Sequence, residues 1–574
     1  MIKTGAEIFV ESLLKENVEV VFGMPGGSLL PIFDKIHGSK LKFILTRHEQ
    51  GASHMADGFA RSTGKVGVCL ATSGPGATNI VTGLATAYMD SVPVVAFTGQ
   101  VATSLIGNDA FQEADTTGIT RPVTKHNFLV KDVKDLVTII RQAFYIAKSG
   151  RPGPVLVDIP VDVQRASCEF IWKDIVNIPS YQPVFKGHQG QIKKAIDAIN
   201  KSKNPVLYIG GGVISSGAEK EIEILAKQAD IPVTSTLLAM GAFHGAEKLD
   251  LGMLGMHGTY WANKAMQTSD LIICVGARFD DRCTGKVCGF APNAKIVHID
   301  IDPTSISKII RVDIPVVGDA KNILTEIIKE VTPRENKKWL AEIDAWKKEE
   351  PLIYDKTKGL KPQFILEKIS EITKGEAIVT TEVGQHQMWS AQFYKPAKPR
   401  NFITSGGLGT MGFGFPAGIG AKVGNPKKDV IVVAGDGSFQ MNIQELTTAS
   451  LYGIDVKIFV LNNQFLGMVR QWQEMFYGKR YSQTCLRKNK NCPAICNSPS
   501  DKCPVYVPDF VKLVEAYGGT AQRVTKSKDV ENAIKTALAH KGFYLIDFMI
   551  DIEENVLPMV PAGANLDEII TRLA

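Results

Sequence analysis

The sequence predicts an α/β fold of three doubly wound parallel-sheet domains. Short apolar runs typical of buried strands alternate along the chain with segments of helical periodicity; examples are VEVVFG, GVCLATSG, PVLYIGG, DLIICVGA, DVIVVAGDG and DVKIFVLNN. Apolar strands separated by helices are typical of parallel sheets that are covered by helices on both faces. The 574 residues are enough for about three or four domains of ordinary size.

Two stretches, 171–187 and 332–362, interrupt this alternation. Both lack strand patterns, as segments between domains commonly do, and the second is rich in lysine and glutamate. At the N-terminus, the apolar spacing over 1–23 predicts an amphipathic helix that leads into a strand. We therefore expect a first domain over 1–170, a central domain over 188–331, a third domain over 363–555 and a C-terminal tail over 556–574.

The composition excludes several classes of protein. Hydrophobic residues make up 44% and charged residues 22% of the chain, as in ordinary globular proteins and unlike disordered or collagen-like chains. The net charge of +6 is small and is not concentrated in runs of one sign, so nucleic acid is not an expected partner. The sequence shows neither the apolar stretch of a secretory signal nor that of a spanning helix. We expect a cytoplasmic protein without membrane contact.

The strongest chemical signal lies in the third predicted domain, where GDG at 435–437 follows one apolar strand and Asn463 follows the next. The residues between them predict a helix. Because parallel strands end at the same edge of a sheet, Asp436 and Asn463 should face one site, where carboxylate and amide oxygens suit Mg²⁺. Gly437 lets the backbone approach a phosphate, and Ser438 opens a helix whose N-terminus favours anions. Alone, a Gly-Asp-Gly turn is more often an ordinary loop.

This arrangement resembles the motif that binds the diphosphate and its metal in thiamine-diphosphate-dependent enzymes, and Gly435 belongs to it. In that family a backbone carbonyl two residues after the asparagine completes the metal ligands, which corresponds to Phe465 here. The family's activating glutamate corresponds to Glu49, in RHEQGASHMADGFAR. A carboxyl buried beside an apolar ring should have a raised pKa, which suits proton exchange with the cofactor's pyrimidine. A lone glutamate before a helix is otherwise more often a cap or a surface charge.

Other segments match the same family in order and spacing. The resemblance assigns Gln385 and His386 to diphosphate contacts. It assigns Met411, in GTMGFGFPAGIGA, to the bulky side chain that holds the cofactor in its bent shape. TSGPGATN, at 72–79, is a glycine turn beside the pyrimidine half-site. Taken singly, each of these segments is as readily a loop or a core methionine.

Within that family, the chain is most similar to the catalytic subunits of acetohydroxyacid (acetolactate) synthases. The resemblance covers essentially the whole chain, including PGGSLLPIFD, GNDAFQE, RPGPVLVDIP, LGMHGTYWANKA, GARFDDRCTGK and MVRQWQEMFYGKRYSQ. It implies an FAD in the central domain that takes no net part in the redox balance. The corresponding contacts are Arg151, Gly276, Arg278, Asp280 and Asp300, to which the GGG run that opens a helix adds Gly211 and Gly212.

The implied reaction decarboxylates pyruvate on thiamine diphosphate and transfers the hydroxyethyl carbanion to a second 2-oxo acid, pyruvate or 2-oxobutyrate. This is the first common step of valine, leucine and isoleucine biosynthesis. The resemblance assigns Arg282 to the carboxylate of the second acid, which a bidentate guanidinium suits. It assigns Trp472, otherwise a core aromatic, to the wall that selects acceptor size. Phe111, Gln112 and Gly27 line the same pocket, where the Gly27 N–H suits a developing oxyanion.

The same resemblance implies how the chain assembles. In that family the pyrimidine half-site of one subunit faces the diphosphate half-site of another, so a homodimer is the smallest catalytic unit and a tetramer is an alternative. A separate regulatory small subunit is common. The remaining partners are the small-molecule 2-oxo acids.

Two features depart from the family. Val161 follows the proline of VDIP, where the family usually has a lysine near the substrate channel, so acceptor recognition is in question. An insertion after YSQT carries four cysteines within nineteen positions, enough for zinc or an iron–sulfur cluster. Their spacing matches no standard metal pattern, and a disulfide pair or a plain exposed loop are the alternatives. The four are Cys485, Cys492, Cys496 and Cys503.

Two other functions compete with this one. A pyruvate oxidase or decarboxylase would act on the same 2-oxo acid, but the match at GARFDDR speaks against it. A subunit that only binds cofactor would have no need to keep Glu49 together with Asp436 and Asn463.

Overall fold

The computed structural model describes residues 1–243, 247–493, 496 and 503–572. These residues form three six-stranded parallel sheets, with one small two-stranded sheet beside them. Buried apolar residues cover the faces of each sheet, which confirms the predicted fold class. Across the described ranges, no helix is both long and apolar enough to cross a bilayer.

The first sheet has the strand order β3-β2-β4-β5-β7-β6. It begins after a helix that Thr4 caps: the Thr4 hydroxyl accepts from the N–H of Glu7, and the Glu7 carboxylate accepts from the N–H of Thr4. The elements of this part are β1 (Ile2–Thr4), α1 (Gly5–Lys15), β2 (Val20–Gly23), α2 (Leu30–Ile36), β3 (Lys42–Leu45), α3 (Glu49–Thr63), β4 (Gly67–Ala71), α4 (Pro75–Asn79), α5 (Val81–Met89), β5 (Val94–Gln100), α6 (Thr116–Thr120), β6 (His126–Leu129), α7 (Leu136–Lys148), β7 (Val155–Pro160), α8 (Val161–Arg165) and β8 (Ser167–Glu169).

The central sheet has the order β11-β10-β9-β12-β13-β14, which is the strand order of dinucleotide-binding sheets. Its elements are α9 (Gln189–Lys201), β9 (Pro205–Ile209), α10 (Gly211–Ser216), α11 (Glu219–Gln228), β10 (Val233–Ser235), β11 (Asp250–Met253), α12 (Tyr260–Thr268), β12 (Leu271–Val275), α13 (Asp281–Thr284), β13 (Lys295–Asp300), β14 (Ile314–Val317), α14 (Ala320–Glu330) and α15 (Lys337–Glu349). Helix α15 lies inside the charged segment 332–362. Its Trp339 is buried and donates to the carbonyl of Pro205, 3.1 Å away.

The third sheet, in the order β16-β15-β17-β18-β20-β19, repeats the connectivity of the first. Its elements are α16 (Pro362–Thr373), β15 (Ile378–Thr381), α17 (Gln385–Phe393), β16 (Phe402–Thr404), α18 (Gly414–Gly424), β17 (Val430–Gly435), α19 (Asp436–Phe439), α20 (Leu446–Leu451), β18 (Lys457–Asn462), α21 (Gly467–Phe476), α22 (Phe510–Ala516), β19 (Thr520–Val524), α23 (Ser527–Ala539) and β20 (Tyr544–Met549). The helix expected after the GDG turn is broken into α19, a 3₁₀ segment and α20. Asn442, within the 3₁₀ segment, has non-helical backbone angles.

Helices α3 and α18 hold the first and third sheets together with their backbones in direct contact. A Cβ atom added at Gly58 would lie 2.1 Å from the carbonyl oxygen of Ala417, and one at Gly420 would lie 1.9 Å from that of Met55. Only glycine permits this approach. The helices bury apolar side chains in a core that includes residues of both sheets.

A buried ion cluster reinforces this junction. Arg61, at the end of α3, bonds to the carboxylates of Asp57 and Asp90 at 2.5 and 2.8 Å. Asp90 in turn accepts from the backbone N–H groups of Gly406 and Gly407 in the third part of the chain. The charges are therefore paired, as buried charges must be.

We expect Gly58→Ala to destabilise the protein by roughly 1–3 kcal/mol, because the added methyl group overpacks a helix crossing that cannot open without cost. The measurement is the midpoint of urea unfolding followed by circular dichroism. Gly190→Ala is the matched control. A Cβ there meets only the His188 side chain, and alanine favours helix α9 by up to about 1 kcal/mol. Equal midpoints for the two variants would contradict a tight crossing.

Candidate active site

Asp436 and Asn463, the predicted metal ligands, lie at one edge of the third sheet. Strands β17 and β18 are neighbours, with Gly435 opposite Leu461, so Asp436 and Asn463 follow directly after adjacent strand ends. Both side chains are buried. This edge lies where the strand order reverses between β15 and β17, the place where doubly wound sheets bind ligands.

Asp436 has the environment of a metal ligand. Its Oδ2 is buried and, among the described residues, has no hydrogen-bond partner. Burial raises the pKa of Asp436 to about 7, although a hydrogen bond from the Tyr506 hydroxyl acts in the opposite direction. A buried carboxylate oxygen without a donor is costly unless a cation faces it. The residue therefore fits a divalent cation.

Hydrogen bonds fix Asn463 and the backbone that follows it. The Asn463 Oδ1 accepts from the N–H of Phe465 at 3.1 Å, and its Nδ2 donates to Gln385 Oε1 at 3.1 Å. Gln385 also donates to Gln471 Oε1 at 2.9 Å. Helices α17 and α21 thus hold the Asn463 amide in place beside Asp436.

Small residues and short contacts shape the space next to these ligands. A Cβ at Gly437 would lie 2.8 Å from Leu466 and 4.0 Å from the Met411 methyl group, and one at Gly435 would lie 3.0 Å from His386 Nδ1. Burial lowers the pKa of His386 to about 3, so its ring is neutral. His386 Nε2 is buried and has no hydrogen-bond partner within the described ranges, and in the tautomer that carries the proton on Nε2 it can donate to a phosphate oxygen. Helix α19 begins at Asp436, two residues before Ser438.

Glu382 belongs to this site and was missed from the sequence. It is fully buried directly after β15 and accepts from Ser438 Oγ at 2.7 Å and from the N–H of Gly414 at 2.6 Å. Burial raises its pKa to about 7. A neutral Glu382 avoids charge repulsion with an anion bound at the start of α19. Glu382 directly follows β15, the neighbour of β17, but a carboxylate at that place has no sequence signature of its own.

Glu49 lies at the edge of the first sheet, as the first residue of α3, and is buried. The Asn79 side chain donates to Glu49 Oε2 at 3.0 Å, and a Cβ at Gly76 would lie 3.3 Å from Oε1. Glu445, from the third part of the chain, accepts from the N–H groups of Arg47 and His48 just before the helix. Contacts from both parts of the chain therefore fix the start of α3.

Three further residues assigned by resemblance lie on open surface of the first part. Phe111 is 88% exposed. Gln112 follows it with a positive φ of 57°, and a Cβ on Gly74 would lie 2.7 Å from its carbonyl oxygen. Gly27 has open space where a side chain would be. Together with Glu49, these residues lie outside the set that lines the cavity described next.

A cavity of about 890 Å³ lies between the three sheets. Its walls include the residues matched to FAD, namely Arg151, Gly211, Gly212, Gly276, Arg278, Asp280 and Asp300. Arg282 and Trp472 also line it, with the guanidinium 5.8 Å from the indole ring centre. The cavity thus brings together the residues assigned to the flavin and to the second 2-oxo acid.

The cavity fits a dinucleotide in position and volume. It opens at the switch point between β9 and β12, where the turn after each strand is made of glycine. A Cβ at Gly210 would lie 2.3 Å from the carbonyl oxygen of Gly276, and one at Gly212 would lie 2.6 Å from the Gly276 Cα. Side-chain-free turns of this kind let a pyrophosphate approach the backbone. The volume is within the range of known ligand pockets.

The structure does not support the expected zinc or iron–sulfur site. Over the described part of the chain, no group of three or more His, Cys, Asp or Glu side chains is arranged to hold a metal ion. Cys485, Cys492, Cys496 and Cys503 all fall within that part. They share the lining of one small cavity but do not form a ligand set, because a metal site requires sulfur atoms at bonding distance from one point.

Three regions match known families. Residues 3–119 match the thiamine pyrophosphate enzyme N-terminal TPP binding domain, 192–327 match the central domain, and 382–548 match the C-terminal TPP binding domain. The central match contains every strand of the second sheet, and the other two matches cover most strands of the first and third sheets. The fold and the matched regions define a thiamine pyrophosphate enzyme.

Relatives of known name are similar over the whole length. The acetolactate synthase large subunit of Buchnera aphidicola subsp. Schizaphis graminum is 48% identical over 582 residues, covering 100% of this chain and 99% of that protein. The acetolactate synthase isozyme 3 large subunit of Escherichia coli K12 is 46% identical, covering 98% of each chain. The Corynebacterium glutamicum large subunit is 49% identical, covering 99% of this chain and 90% of that protein. The chain belongs to the acetolactate synthase large subunits.

We expect Glu382→Gln to reduce the pH dependence of stability in the cofactor-free protein. The folded pKa of about 7 lies above the ordinary value of 4.5. The stabilisation it provides is therefore complete below about pH 4.5 and is lost as the pH rises through 7. Glutamine keeps the Gly414 bond through its oxygen, while the Ser438 hydroxyl can accept from its amide.

The measurement is the urea midpoint at pH 5 and pH 8 for the native protein, the variant and a control, Glu349→Gln, at an exposed position. The native protein and the control should lose stability over this interval by an amount on the order of 1–3 kcal/mol more than Glu382→Gln. Parallel losses in all three proteins would contradict a neutral Glu382.

Proposed function

We propose that the chain is the catalytic subunit of an acetolactate synthase, which decarboxylates pyruvate and joins the remaining two carbons to pyruvate or 2-oxobutyrate. This would be the first common step in the biosynthesis of the branched-chain amino acids. The observation that carries the proposal is that two sheets of identical connectivity both place buried polar residues at one edge. One edge presents a buried activating-type glutamate, and the other presents a buried carboxylate and amide set for a metal.

In this proposal the third sheet holds Mg²⁺ and the diphosphate of thiamine diphosphate. Asp436, Asn463 and the carbonyl of Phe465 would be the metal ligands, supported by the partnerless Asp436 oxygen. The diphosphate would lie against Gly435, Gly437, Ser438, Gln385 and His386, with Met411 beside the thiazolium ring. When bound, thiamine diphosphate supplies the carbanion that attacks the keto carbon and the electron sink that lets CO₂ depart.

Glu49 is assigned the proton transfer that activates the pyrimidine. Its carboxyl is buried, and the Asn79 amide fixes one of its oxygens, leaving the other to face a ring nitrogen. General acid–base groups held in this way contribute about 10²–10⁴-fold to rates. In this proposal, as in the family, Glu49 of one copy of the chain would face the diphosphate site of a second copy.

The second 2-oxo acid is assigned to the Arg282 and Trp472 end of the cavity. The Arg282 guanidinium would bind its carboxylate, and the Trp472 ring would limit the size of its alkyl group. The open surface at Phe111, Gln112 and Gly27 supports a homodimer or tetramer, in which the partner chain would cover that surface. Val161 stands where the family usually has lysine, which leaves Arg282 as the cation assigned to acceptor recognition.

The central cavity would hold FAD outside the redox balance. Its glycine turns, together with Arg278 and Asp300, suit a dinucleotide, and Arg151 is already ordered by bonds to Ser91 and Asp302. The name of the relatives, large subunit, supports a smaller regulatory partner. We place the enzyme in the cytoplasm, where its 2-oxo acid substrates are available.

The direct test is to incubate the purified protein with thiamine diphosphate, Mg²⁺, FAD and pyruvate, with and without 2-oxobutyrate, and to assay acetolactate and its homologue. Formation of acetolactate supports the proposal. Acetaldehyde or acetate without acetolactate would instead indicate a decarboxylase or an oxidase.

We expect Glu49→Gln to lower kcat/KM for acetolactate formation by at least about 10²-fold, because the carboxamide cannot exchange a proton with the pyrimidine. Cofactor binding, followed by quenching of tryptophan fluorescence, should persist because the diphosphate site is untouched. Glu19→Gln, on the exposed surface of the same part, is the control and should leave the rate unchanged. A variant with native turnover would exclude this role for Glu49.

We expect Trp472→Leu to reduce the preference for 2-oxobutyrate over pyruvate by roughly 10-fold, because a methylene group in an apolar pocket is worth about 1–3 kcal/mol. The measurement is the product ratio with both acceptors present. Trp346→Leu, a partly buried tryptophan on α15, is the control. An unchanged ratio in Trp472→Leu would remove that ring from the acceptor site.

A further inference from the structure

The cysteines of the insertion surround one small cavity. All four line a space of about 30 Å³, together with Phe465, Tyr481, Arg487, Lys488 and Pro504. Side chains that share the wall of so small a space are near neighbours. Each of the four is partly exposed, so small reagents can reach the cluster from solvent. The remaining five cysteines of the chain lie outside this cavity.

The cluster is joined by backbone bonds to the loop that carries Phe465. Cys485 forms an antiparallel bridge with Phe465. On either side, Leu466 N–H donates to the carbonyl of Thr484 and Leu486 N–H donates to that of Gln464, both at 2.9 Å. These two hydrogen bonds make up the bridge, so a covalent constraint on Cys485 is transmitted to Phe465 through them.

The same segment covers the GDG turn. A Cβ at Gly437 would meet Leu486 at 3.3 Å and Leu466 at 2.8 Å. These two leucines come from the paired segments 484–486 and 464–466. The pair therefore forms a wall of the proposed diphosphate and metal site, against the GDG turn.

Two cationic side chains border the cluster. Arg487 and Lys488 share the cavity wall with the thiols. The Nε of Arg487 is buried and, in the described part of the chain, has no hydrogen-bond partner. The species that attacks a disulfide is the thiolate anion.

We propose that this four-cysteine cluster is a thiol-oxidation site that takes low-molecular-weight disulfides such as oxidised glutathione. Cys485 attacks the reagent disulfide and forms a mixed disulfide, releasing one reagent thiol. A second cysteine of the cluster attacks the mixed disulfide, forms a protein S–S bond and releases the other reagent thiol. The two protein thiols lose two electrons and two protons, and both are recovered in the two reagent thiols.

Oxidation closes the wall over the diphosphate and metal site. A cross-link from Cys485 to another cysteine of the insertion removes conformational freedom from the segment paired with Phe465. The ordered wall then opens less often, and bound Mg²⁺ and thiamine diphosphate leave more slowly. This step rests on the proposed function, because it assigns Phe465 to the metal.

The experiment uses the full chain with its cofactors, incubated with either oxidised or reduced glutathione. Peptide mass spectrometry without reduction maps the disulfide, and a chase with EDTA measures the loss of activity as cofactor leaves. The oxidised protein should show a disulfide that includes Cys485 and a several-fold slower loss. Cys485→Ser should remove both effects, whereas Cys288→Ser, an exposed cysteine outside the cluster, should keep them.

Three results would overturn the proposal. Zinc or iron near one atom per chain in the purified protein would show that the thiols are metal ligands. Absence of a disulfide at Cys485 after oxidation would remove the site. A mapped Cys485 disulfide with an unchanged rate of cofactor loss would show that oxidation of the cluster does not hold the wall closed. The mapping does not depend on catalysis, so failure of the proposed function would be seen separately, as absence of acetolactate in both forms.

Discussion

The backbone contact between α3 and α18 is the constraint on which the rest of the structure depends. Helix α3 begins with Glu49, and α18 begins just after the Met411 turn, so their crossing fixes the first sheet edge relative to the third. Glycine at 58 and 420 allows the contact. The ion cluster of Arg61, Asp57 and Asp90 gives it a fixed orientation that apolar packing alone would not.

The first and third sheets share one connectivity but use their carboxyl edges for different chemistry. At the first edge the buried carboxyl is Glu49, held by an amide. At the third edge Asp436 has an oxygen without a partner and Glu382 is held by two donors. Because the strand order is the same, the electrostatic difference between the two edges comes from the hydrogen-bond partners of these carboxyl groups. One edge is suited to proton transfer, and the other is suited to a cation and an anion bound side by side.

The spacing of Asp436 and Asn463 predicted their shared edge because parallel strands impose it, and the three sheets followed from apolar alternation. Glu382 escaped notice because a carboxylate after a strand has no signature until its donors are known. The central cavity could not be predicted as a space, since its walls come from residues as distant as Arg151, Asp300 and Trp472. The cysteine spacing gave no geometry: the four cysteines line one small cavity, but the described residues give no support for the metal site that the spacing left open.

The central cavity has a thermodynamic consequence for the molecule as a whole. Its walls come from three separately wound sheets, so a ligand that fills it contacts all of them and is released when any one of them opens. Occupancy at 100 times the dissociation constant adds about 2.7 kcal/mol of stability. All three sheets share that added stability, so a bound ligand couples their unfolding.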